Sequence, residues 1–187
     1  MIKELKICFI TIVFTGIYII SSVIISNVFF FNKANGSLVK LNNRTIGSRL
    51  IGQEFKSNIY FHNRKSLTGY KNDISGNSNF PFYSTKLKDE ILRTHHDFIQ
   101  TNENEKPDLN IITESASGLD PHLTYEGALS QVKRISRTSR LSNNEIISLI
   151  NKNAKPFILG LFGKRIINVL DLNLELEKNY AKTSRSR

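Results

Sequence analysis

The chain has 187 residues, of which 26 are lysine or arginine and 16 are aspartate or glutamate, giving a formal net charge of +10. This balance is compatible with an anionic membrane surface or nucleic acid as a partner. Nucleic-acid binding is disfavoured, because the basic residues are spread along the chain instead of forming one stripe with interleaved aromatics.

The first predicted element is an apolar segment, residues 7–31, which contains no charged side chain and is flanked by Lys6 and Lys33. About 20 apolar residues span a bilayer as a helix. A cleavable signal peptide is the main alternative, but its apolar core is usually about 7–15 residues and ends in a small-residue cleavage site, which this segment lacks. We therefore predict an uncleaved transmembrane helix over 7–31, after a short cytoplasmic tail, residues 1–6.

The orientation of this helix is not decided by charge, because lysines flank it on both sides and the positive-inside rule favours neither orientation. A span without a preceding domain acts readily as an export signal. We therefore expect the amino end inside and residues 32–178 on the extracytoplasmic side of the cell membrane. Cys8, the only cysteine, excludes an internal disulfide and is expected to be a small apolar packing residue within the span.

Residues 32–178 are long enough for one globular domain. Aromatic and β-branched residues predict a strand over 58–62, and a segment rich in Gly, Asn and Ser predicts a long loop over 66–83. Strict alternation of leucine with polar residues over 170–177 predicts another strand with one buried face. The predicted fold is thus a single N-terminal transmembrane helix followed by one mixed α+β extramembrane domain.

Three helices are predicted between these strands. Ser84 can cap the first, which carries apolar residues at helical spacing, and Thr124 can cap the second. Ser142 and Glu145 form the pattern of a capping box at the start of the third.

Two polar groups on these helices are candidates for binding. His95 and His96 are adjacent and point in different directions, so they cannot share a metal ion as an i, i+4 pair could; solvated or partly packed histidines are expected. A basic face is predicted near the second helix. Most such faces are solvated, and the alternative is that this one receives an acidic partner or a phosphate. Its members are Lys133, Arg134, Arg137 and Arg140.

The most informative loop is residues 115–122, Ser-Ala-Ser-Gly-Leu-Asp-Pro-His. Gly118 can adopt backbone angles closed to other residues, and the side chains of Ser117 and Asp120 can hydrogen-bond nearby backbone and hold a turn. The alternative to an architectural turn is a membrane-anchored exported serine hydrolase that uses Ser117, Asp120 and His122. A triad usually assembles from distant segments, and no G-x-S-x-G elbow is present. The sequence also lacks a P-loop and a clustered metal-ligand set, so we predict no catalytic residue and no metal site.

Short motifs from the anchor to residue 174 form an ordered set, which resembles the C subunit of the Kdp-type potassium-transporting ATPase. Each motif alone is weak, but their number, order and spacing together are specific. The resemblance covers nearly the whole chain except the basic tail, residues 179–187, which we expect to be disordered. The matching motifs are residues 34–38, 47–48 and 50–53 with Phe55; Tyr60-Phe61 with Arg64 and Ser66; residues 75–76 and 78–79; residues 115–120 with Gln131, Arg134 and Arg137; and residues 168–169 and 172–174.

The chain departs from the family pattern in three places. Asn63 and Lys65 replace the Gly and Pro that are usual around Arg64, and Phe-Pro-Phe-Tyr at 80–83 replaces a Gly/Pro-rich stretch. Lys-Arg at 164–165 stands where Glu-Pro or Gln-Pro is more typical. These changes affect loop details and not the family.

The resemblance implies an accessory, non-catalytic subunit of a high-affinity ATP-driven potassium import complex. Its implied partners are a channel-like subunit that carries potassium and a P-type ATPase subunit that hydrolyses ATP, with membrane lipid around the anchor and no nucleic acid. The implied role is in assembly or stability of the complex. A second implied role is that of a catalytic chaperone that raises the ATP affinity of the ATPase subunit, which makes ATP the one candidate cofactor.

The resemblance also supplies candidate site residues. Gln131 matches a glutamine suggested to contact nucleotide, but cytosolic ATP cannot reach it if the domain lies outside the membrane. We therefore expect Gln131 on a helix surface, packing against the partner subunits. The residues implied to be structural or to contact partners are Gly52, Gln53, Tyr60, Arg64, Ser117, Gly118, Asp120 and Asn173.

Overall fold

The computed structural model describes residues 2–155 and 163–185, and the chain divides into two compact units, Met1–Ile46 and Gly47–Arg187. The first unit is dominated by helix α1, Ile2–Phe29, which is followed by a short helix α2, Phe31–Ala34. Among the described residues, α1 is the one helix long and apolar enough to cross a membrane by length and composition, and none of its residues is buried. It begins within the predicted tail, because nothing in residues 2–6 stops a helix.

A hairpin follows, formed by β1, Leu38–Leu41, and β2, Arg44–Ser48. Its two-residue turn has positive φ at both positions, 48° at Asn42 and 64° at Asn43. Tight hairpin turns require this conformation, and asparagine adopts it more easily than most residues. The boundary between the two units falls within β2.

The second unit is a mixed α+β domain, as predicted. Strands β3 and β4 pair antiparallel with Leu123 opposite Ile167, and the predicted long loop over 66–83 consists of turns and irregular structure. The elements, in chain order, are α3 (Thr85–Thr101), α4 (Leu109–Ile112), β3 (His122–Thr124), α5 (Tyr125–Leu129), α6 (Val132–Ser139), α7 (Asn143–Asn153), β4 (Ile166–Asn168) and α8 (Val169–Arg185).

The core of this unit lies among α4 to α8 and the β3–β4 pair, and one residue of the irregular segment before α3, Phe61, is fully buried in it. Burial of such apolar side chains is the main favourable term in folding. The other fully or nearly fully buried members include Leu123, Ala128, Ile135, Ile146, Ile150, Ile167, Val169, Leu172 and Leu176.

Two of the three predicted helix caps are confirmed. The Thr124 hydroxyl accepts a hydrogen bond from the Gly127 backbone N–H at 3.1 Å. Ser142 and Glu145 form the predicted capping box at the start of α7. Ser84 occupies the N-cap position of α3, but its side chain makes no capping bond.

The predicted strand over 170–177 is wrong, because these residues belong to α8. Leu174 is only half-buried while the polar Asn173 is buried. Burial therefore does not alternate with the leucines as it would in a strand with one buried face. Four of the buried positions, Val169, Leu172, Asn173 and Leu176, follow the i, i+3, i+4, i+7 spacing of a helix, and Leu170 is buried beside them. Helix α8 also continues to Arg185, so 179–185 are helical where a disordered tail is predicted; 186–187 lie outside the described residues.

The predicted strand over 58–62 is also wrong: these residues are turn and irregular structure. A strand needs a neighbouring strand to bond its backbone N–H and C=O groups. Here the backbone groups of Phe61 and His62 are bonded by the side-chain amides of Asn173 and Gln131 instead.

Candidate functional site

The candidate residues belong mostly to two hydrogen-bonded clusters in the second unit. We define the amide clamp as Gln131, Arg134 and Asn173 with the segment 60–62 that they bond. We define the Arg64 clamp as Arg64 and Ser66 with the loop 115–122. Helices α6 and α8 position the first cluster, while the second consists almost entirely of loops.

In the amide clamp, Asn173 bonds both backbone groups of Phe61. Its Oδ1 accepts from the Phe61 N–H at 2.8 Å, and its Nδ2 donates to the Phe61 carbonyl at 2.9 Å. The pair of bonds satisfies backbone groups that burial would otherwise leave without partners at a cost of about 1–3 kcal/mol each. The buried asparagine on α8 therefore fixes Phe61 in the core.

Gln131 makes the corresponding pair of bonds to the next residue, His62. Its Oε1 accepts from the His62 N–H at 2.8 Å, and its Nε2 donates to the His62 carbonyl at 3.1 Å. Nε2 also donates to the Gly127 carbonyl at 3.2 Å, and Oε1 also accepts from Arg134 at 2.7 Å. An amide side chain has two donors and two acceptor positions, so all four are occupied. The expectation of a surface glutamine is wrong, because Gln131 is fully buried at the N-cap of α6.

Arg134 is also not part of a solvated basic face, because only 1% of its surface is exposed. Its Nε donates to Asn102 Oδ1 at 2.8 Å, and its Nη1 donates to the carbonyls of Tyr60, at 3.0 Å, and of Asn58. Burial lowers the pKa of Arg134 to about 10, which still leaves it charged at neutral pH. This guanidinium is the centre of the amide clamp, because it bonds both to Gln131 and to the carbonyl that precedes Phe61.

The other cations of the predicted basic face are exposed, and two of them bond to the loop after α3. Lys133 forms an ion pair with Glu105, and Arg137 Nε lies 2.8 Å from Glu103 Oε1. Arg140 ends α6 with a left-handed backbone, φ 61°. This face therefore meets acidic groups of its own chain.

In the Arg64 clamp, one guanidinium joins three parts of the chain. Arg64 Nη1 donates to Asp120 Oδ2 at 3.0 Å, Nε donates to the Asn110 carbonyl at 3.0 Å, and Nη2 donates to the Glu114 carbonyl at 2.9 Å. The planar fork of an arginine suits such simultaneous contacts. Arg64 thus holds α4 and the loop after it against the segment that follows the amide clamp.

The loop 115–122 is a turn held by its own side chains, as predicted. Ser117 Oγ accepts from the Leu119 N–H at 3.1 Å, and Asp120 Oδ1 accepts from the His122 N–H at 3.0 Å. Gly118 has φ +70°, a conformation that other residues rarely adopt. The Gly118 carbonyl accepts a hydrogen bond from Ser66 Oγ at 2.7 Å, which connects the turn to the segment that carries Arg64 and Ser66.

Gly52 lies against this turn at a distance that excludes a side chain. Its N–H donates to the Leu119 carbonyl at 2.7 Å, and an added Cβ would lie 2.7 Å from the Asp120 carbonyl oxygen. The next residue, Gln53, accepts a hydrogen bond from Asn63 Nδ2 at 2.7 Å through its backbone carbonyl. Both residues thus connect loops of the second unit to one another.

Tyr60 lies at the edge of the amide clamp, where its ring contacts Phe55 with centroids 5.7 Å apart. Burial, with a smaller effect of Glu177, raises the pKa of its hydroxyl. His95 and His96 share no contact that suggests a metal site: His95 is half-buried, and the His96 ring lies 2.9 Å from Nε2 of Gln100.

The catalytic alternative needs a serine hydrogen-bonded to a base. Ser117 Oγ lies 3.3 Å from Ser115 Oγ and accepts from the Leu119 N–H. His122 Nδ1 lies 3.5 Å from Asp120 Oδ1. Within residues 2–155 and 163–185, no hydrogen bond joins Ser117 to His122, so the geometry is that of a turn.

Sequence reasoning missed two residues that bond to these clusters, Asn102 and Tyr70. Asn102, the C-cap residue of α3, accepts the Arg134 Nε–H, and nothing near it in the sequence indicates this role. The Tyr70 hydroxyl donates to the Arg64 carbonyl, and burial, with a smaller effect of Glu54, raises its pKa to about 12. A tyrosine in a polar loop is only a weak indication of a buried hydrogen bond, because many such tyrosines are exposed.

Asp120 gives the Arg64 clamp a pH dependence. Burial alone would raise the pKa of Asp120, but hydrogen bonds from His122 and Arg64 outweigh it and hold the pKa below its ordinary value. A carboxyl whose pKa is lower in the folded state stabilises the fold above its unfolded pKa, about 3.9, and loses this contribution as pH falls through the folded value. We therefore expect the stability difference between the parent and Asp120→Asn to be constant near neutral pH and to shrink below about pH 5. Urea unfolding of residues 47–187 from pH 3 to 7 measures it, and a difference that stays constant to pH 3 would contradict the assignment.

Comparison with known proteins places these residues in a family context. Residues 1–178 match the family described as "KdpC: K+-transporting ATPase, c chain". The chain is 35% identical over 161 residues to a potassium-transporting ATPase KdpC subunit of Caldanaerobacter subterraneus subsp. tengcongensis, covering 84% of this chain and 83% of the relative. It is 39% identical over 153 residues to the Gloeobacter violaceus subunit of the same name, covering 81% of each. It is 36% identical over 179 residues to that of Staphylococcus aureus strain MRSA252, covering 90% and 92%.

Proposed function

Because the chain belongs to the KdpC family, and is thus a component of a potassium-transporting ATPase complex, we propose that it is a non-catalytic accessory subunit needed for assembly or stability of that complex. Helix α1 anchors it in the cell membrane, and residues 1–6 lie in the cytoplasm. The second unit lies on the extracytoplasmic side and docks against the outer mouth of the potassium-carrying, channel-like subunit, while the P-type ATPase subunit hydrolyses ATP.

The observation that carries this proposal is that the candidate residues bond to one another. Gln131 has all four polar positions occupied within the chain, and Asn173 bonds both backbone groups of Phe61. Arg64 and Asp120 likewise bond to each other and to backbone. Side chains whose polar groups are already bonded within the chain stabilise its shape and are not free to react with a substrate. A stable shape is the property expected of a subunit that docks against others.

The anchor supports a role inside a membrane complex. A Cβ added at Gly16 would meet nothing within 4 Å in its own chain, and the neighbouring turn carries Ser21 and Ser22, whose hydroxyls donate to the Tyr18 carbonyl. Small residues of this kind allow close approach of helices in lipid. We propose that this part of α1 packs against helices of the larger subunits.

A direct nucleotide contact by Gln131 is the alternative implied by a catalytic chaperone. It would require Gln131 to leave a fully buried position and to give up four hydrogen bonds. An effect of this chain on the ATP affinity of the ATPase subunit is therefore more simply explained by its contacts in the assembled complex than by a direct contact between Gln131 and ATP. No observation on the loop 115–122 favours the serine hydrolase.

Co-purification tests the proposed function. The complex is solubilised in mild detergent from cells that make the larger subunits with the tagged chain, or without it. We expect the intact complex only when the chain is present, and we expect the isolated full-length chain to show no saturable heat with ATP in calorimetry. As a control, the tagged chain with Arg49→Gln should give the same recovery of the complex as the parent chain, because this change removes only an exposed ion pair with Asp171.

Two results would contradict the proposal. One is recovery of an active complex of normal composition without the chain. The other is stoichiometric ATP binding to the chain alone, which would favour the chaperone role. Protease protection in intact cells tests the side of the membrane separately, because an extracytoplasmic second unit is cleaved from outside.

A further inference from the structure

A cleft in the second unit contacts neither the loop 115–122 nor the ion pairs of α6. It has a volume of about 200 Å³ and lies between one face of α3 and the segment 62–65. Helix α3 contributes Thr94, Asp97, Phe98 and Thr101, which are spaced i, i+3, i+4 and i+7 and therefore share one side of the helix. The cleft is large enough for one long side chain and too small for most cofactors.

The opposite wall carries a buried hydrogen-bond acceptor without a partner. Asn63 is 9% exposed, and its Nδ2 donates to the Gln53 carbonyl at 2.7 Å. Its Oδ1 is buried and accepts no hydrogen bond from any described residue. An acceptor left in this state costs about 1–3 kcal/mol. Because Oδ1 has almost no accessible surface, an entering donor reaches it only after the Asn63 side chain shifts towards the cleft.

Further acceptors lie on the helix side. Thr94 Oγ1 donates to the Glu90 carbonyl at 2.9 Å and Thr101 Oγ1 donates to the Asp97 carbonyl at 2.8 Å, so each hydroxyl retains lone pairs. The Asp97 carboxylate lies at the exposed rim, and within 2–155 and 163–185 it forms no ion pair or hydrogen bond. The cleft is therefore richer in acceptors than in donors.

The two basic residues of the cleft do not oppose an entering cation strongly. Lys65 is paired with Glu90, whose pKa is lowered by that hydrogen bond, so the charges compensate each other. Burial, and less strongly Arg134, lowers the pKa of His62, which leaves its ring neutral at pH 7. At the rim the uncompensated charge is that of Asp97; the buried guanidinium of Arg134, which bonds to the lining residue Asn102, is an uncompensated cation near the cleft.

We propose that this cleft receives one lysine or arginine side chain of a partner subunit of the transport complex, with its alkyl stem against Phe98 and Ile111. Its cationic head bonds to Asp97 and, after a shift of the Asn63 side chain, to Asn63 Oδ1. The apolar side chains of Phe98 and Ile111 suit the stem of such a side chain, which packs on apolar surface while its head keeps polar partners. The inference about the partner rests on the proposed function. The cation specificity of the cleft is independent of it.

The cation specificity is tested on the full-length chain in detergent micelles by NMR titration with n-butylguanidinium chloride. We expect saturable shifts of the Asn63 side-chain amide and of the Phe98 and Thr101 backbone amides. n-Butanol, with the same stem and no charge, should give none. Asp97→Asn should weaken binding at least fivefold, while Asp89→Asn, on the same helix but outside the cleft, should not. Absence of saturation, equal shifts with n-butanol, or unchanged binding to Asp97→Asn would overturn the proposal.

The partner is tested on the purified complex by washing with rising salt. We expect Asp97→Lys to lower the retained chain at least fivefold and Asp89→Lys to behave as the parent. Retention of Asp97→Lys at the parental level would refute a partner side chain in the cleft even if the probe binds. Failure of the parent chain to co-purify at all would instead refute the proposed function, and the probe titration would still report on the cleft.

Discussion

Replacing Arg134 by methionine is expected to lower the free energy of unfolding of residues 47–187 by about 2–5 kcal/mol, because buried acceptors that lose their donor cost about 1–3 kcal/mol each. Methionine fills much of the same space but donates no hydrogen bond. The carbonyl of Tyr60, Oδ1 of Asn102 and Oε1 of Gln131 would each lose a donor in a buried site. Urea unfolding followed by circular dichroism measures the change.

The matched control is Arg137→Met, on the same helix. The Arg137 side chain is 72% exposed and pairs with Glu103 at 2.8 Å. Exposed pairs of this kind contribute about 0–1 kcal/mol, so the control should stay within about 1 kcal/mol of the parent. Equal losses for both variants would mean that the burial of Arg134 does not matter to stability.

Replacing Gln131 by leucine is expected to lower the free energy of unfolding by about 2–4 kcal/mol, because two partly buried backbone groups of His62 lose their partners at roughly 1–3 kcal/mol each. Gln131→Glu tests the same bonds differently, since a carboxylate can accept from the His62 N–H but cannot donate to the carbonyls of His62 and Gly127. Both variants should be destabilised, Gln131→Glu by less than Gln131→Leu, because its carboxylate accepts a charge-assisted bond from Arg134. Gln100→Leu, an exposed glutamine on α3, should change stability by no more than about 0.5 kcal/mol.

The hydrogen bond between Gln131 and Arg134 predicts that the effects of the two substitutions on stability are not additive. Residues that share a hydrogen bond give non-additive changes, and Oε1 of Gln131 lies 2.7 Å from Nη2 of Arg134. The double variant should therefore lose less than the two single variants together. Strict additivity, or a Gln131→Leu variant as stable as the parent, would contradict the network.

The features that could be predicted from the sequence are those decided within a few residues. The capping box of Ser142 and Glu145 depends on a spacing of three, and the turn at Gly118 depends on a glycine beside hydroxyl and carboxyl groups. The length and apolarity of α1 are likewise local properties. In each case the physical cause lies within one short segment.

The features that could not be predicted depend on distant partners. Residues 58–62 have the composition of a strand, but Asn173, more than a hundred positions away, bonds the backbone of Phe61. Arg134 looks like a surface cation because its acceptors lie on loops far along the chain. In the candidate site, the resemblance identified most of the residues, but it did not indicate which atoms each one bonds.

The bonding of Phe61 and His62 by two side-chain amides has a consequence for the behaviour of the protein in solution. An extended segment with unpaired N–H and C=O groups invites a foreign strand to add to it, which is a common route to domain swapping and fibrils. Here those groups already have partners, supplied by Asn173 on α8 and by Gln131 at the N-cap of α6. At Phe61 and His62 this aromatic segment therefore offers a foreign strand no unpaired N–H or C=O group, although no sheet covers it.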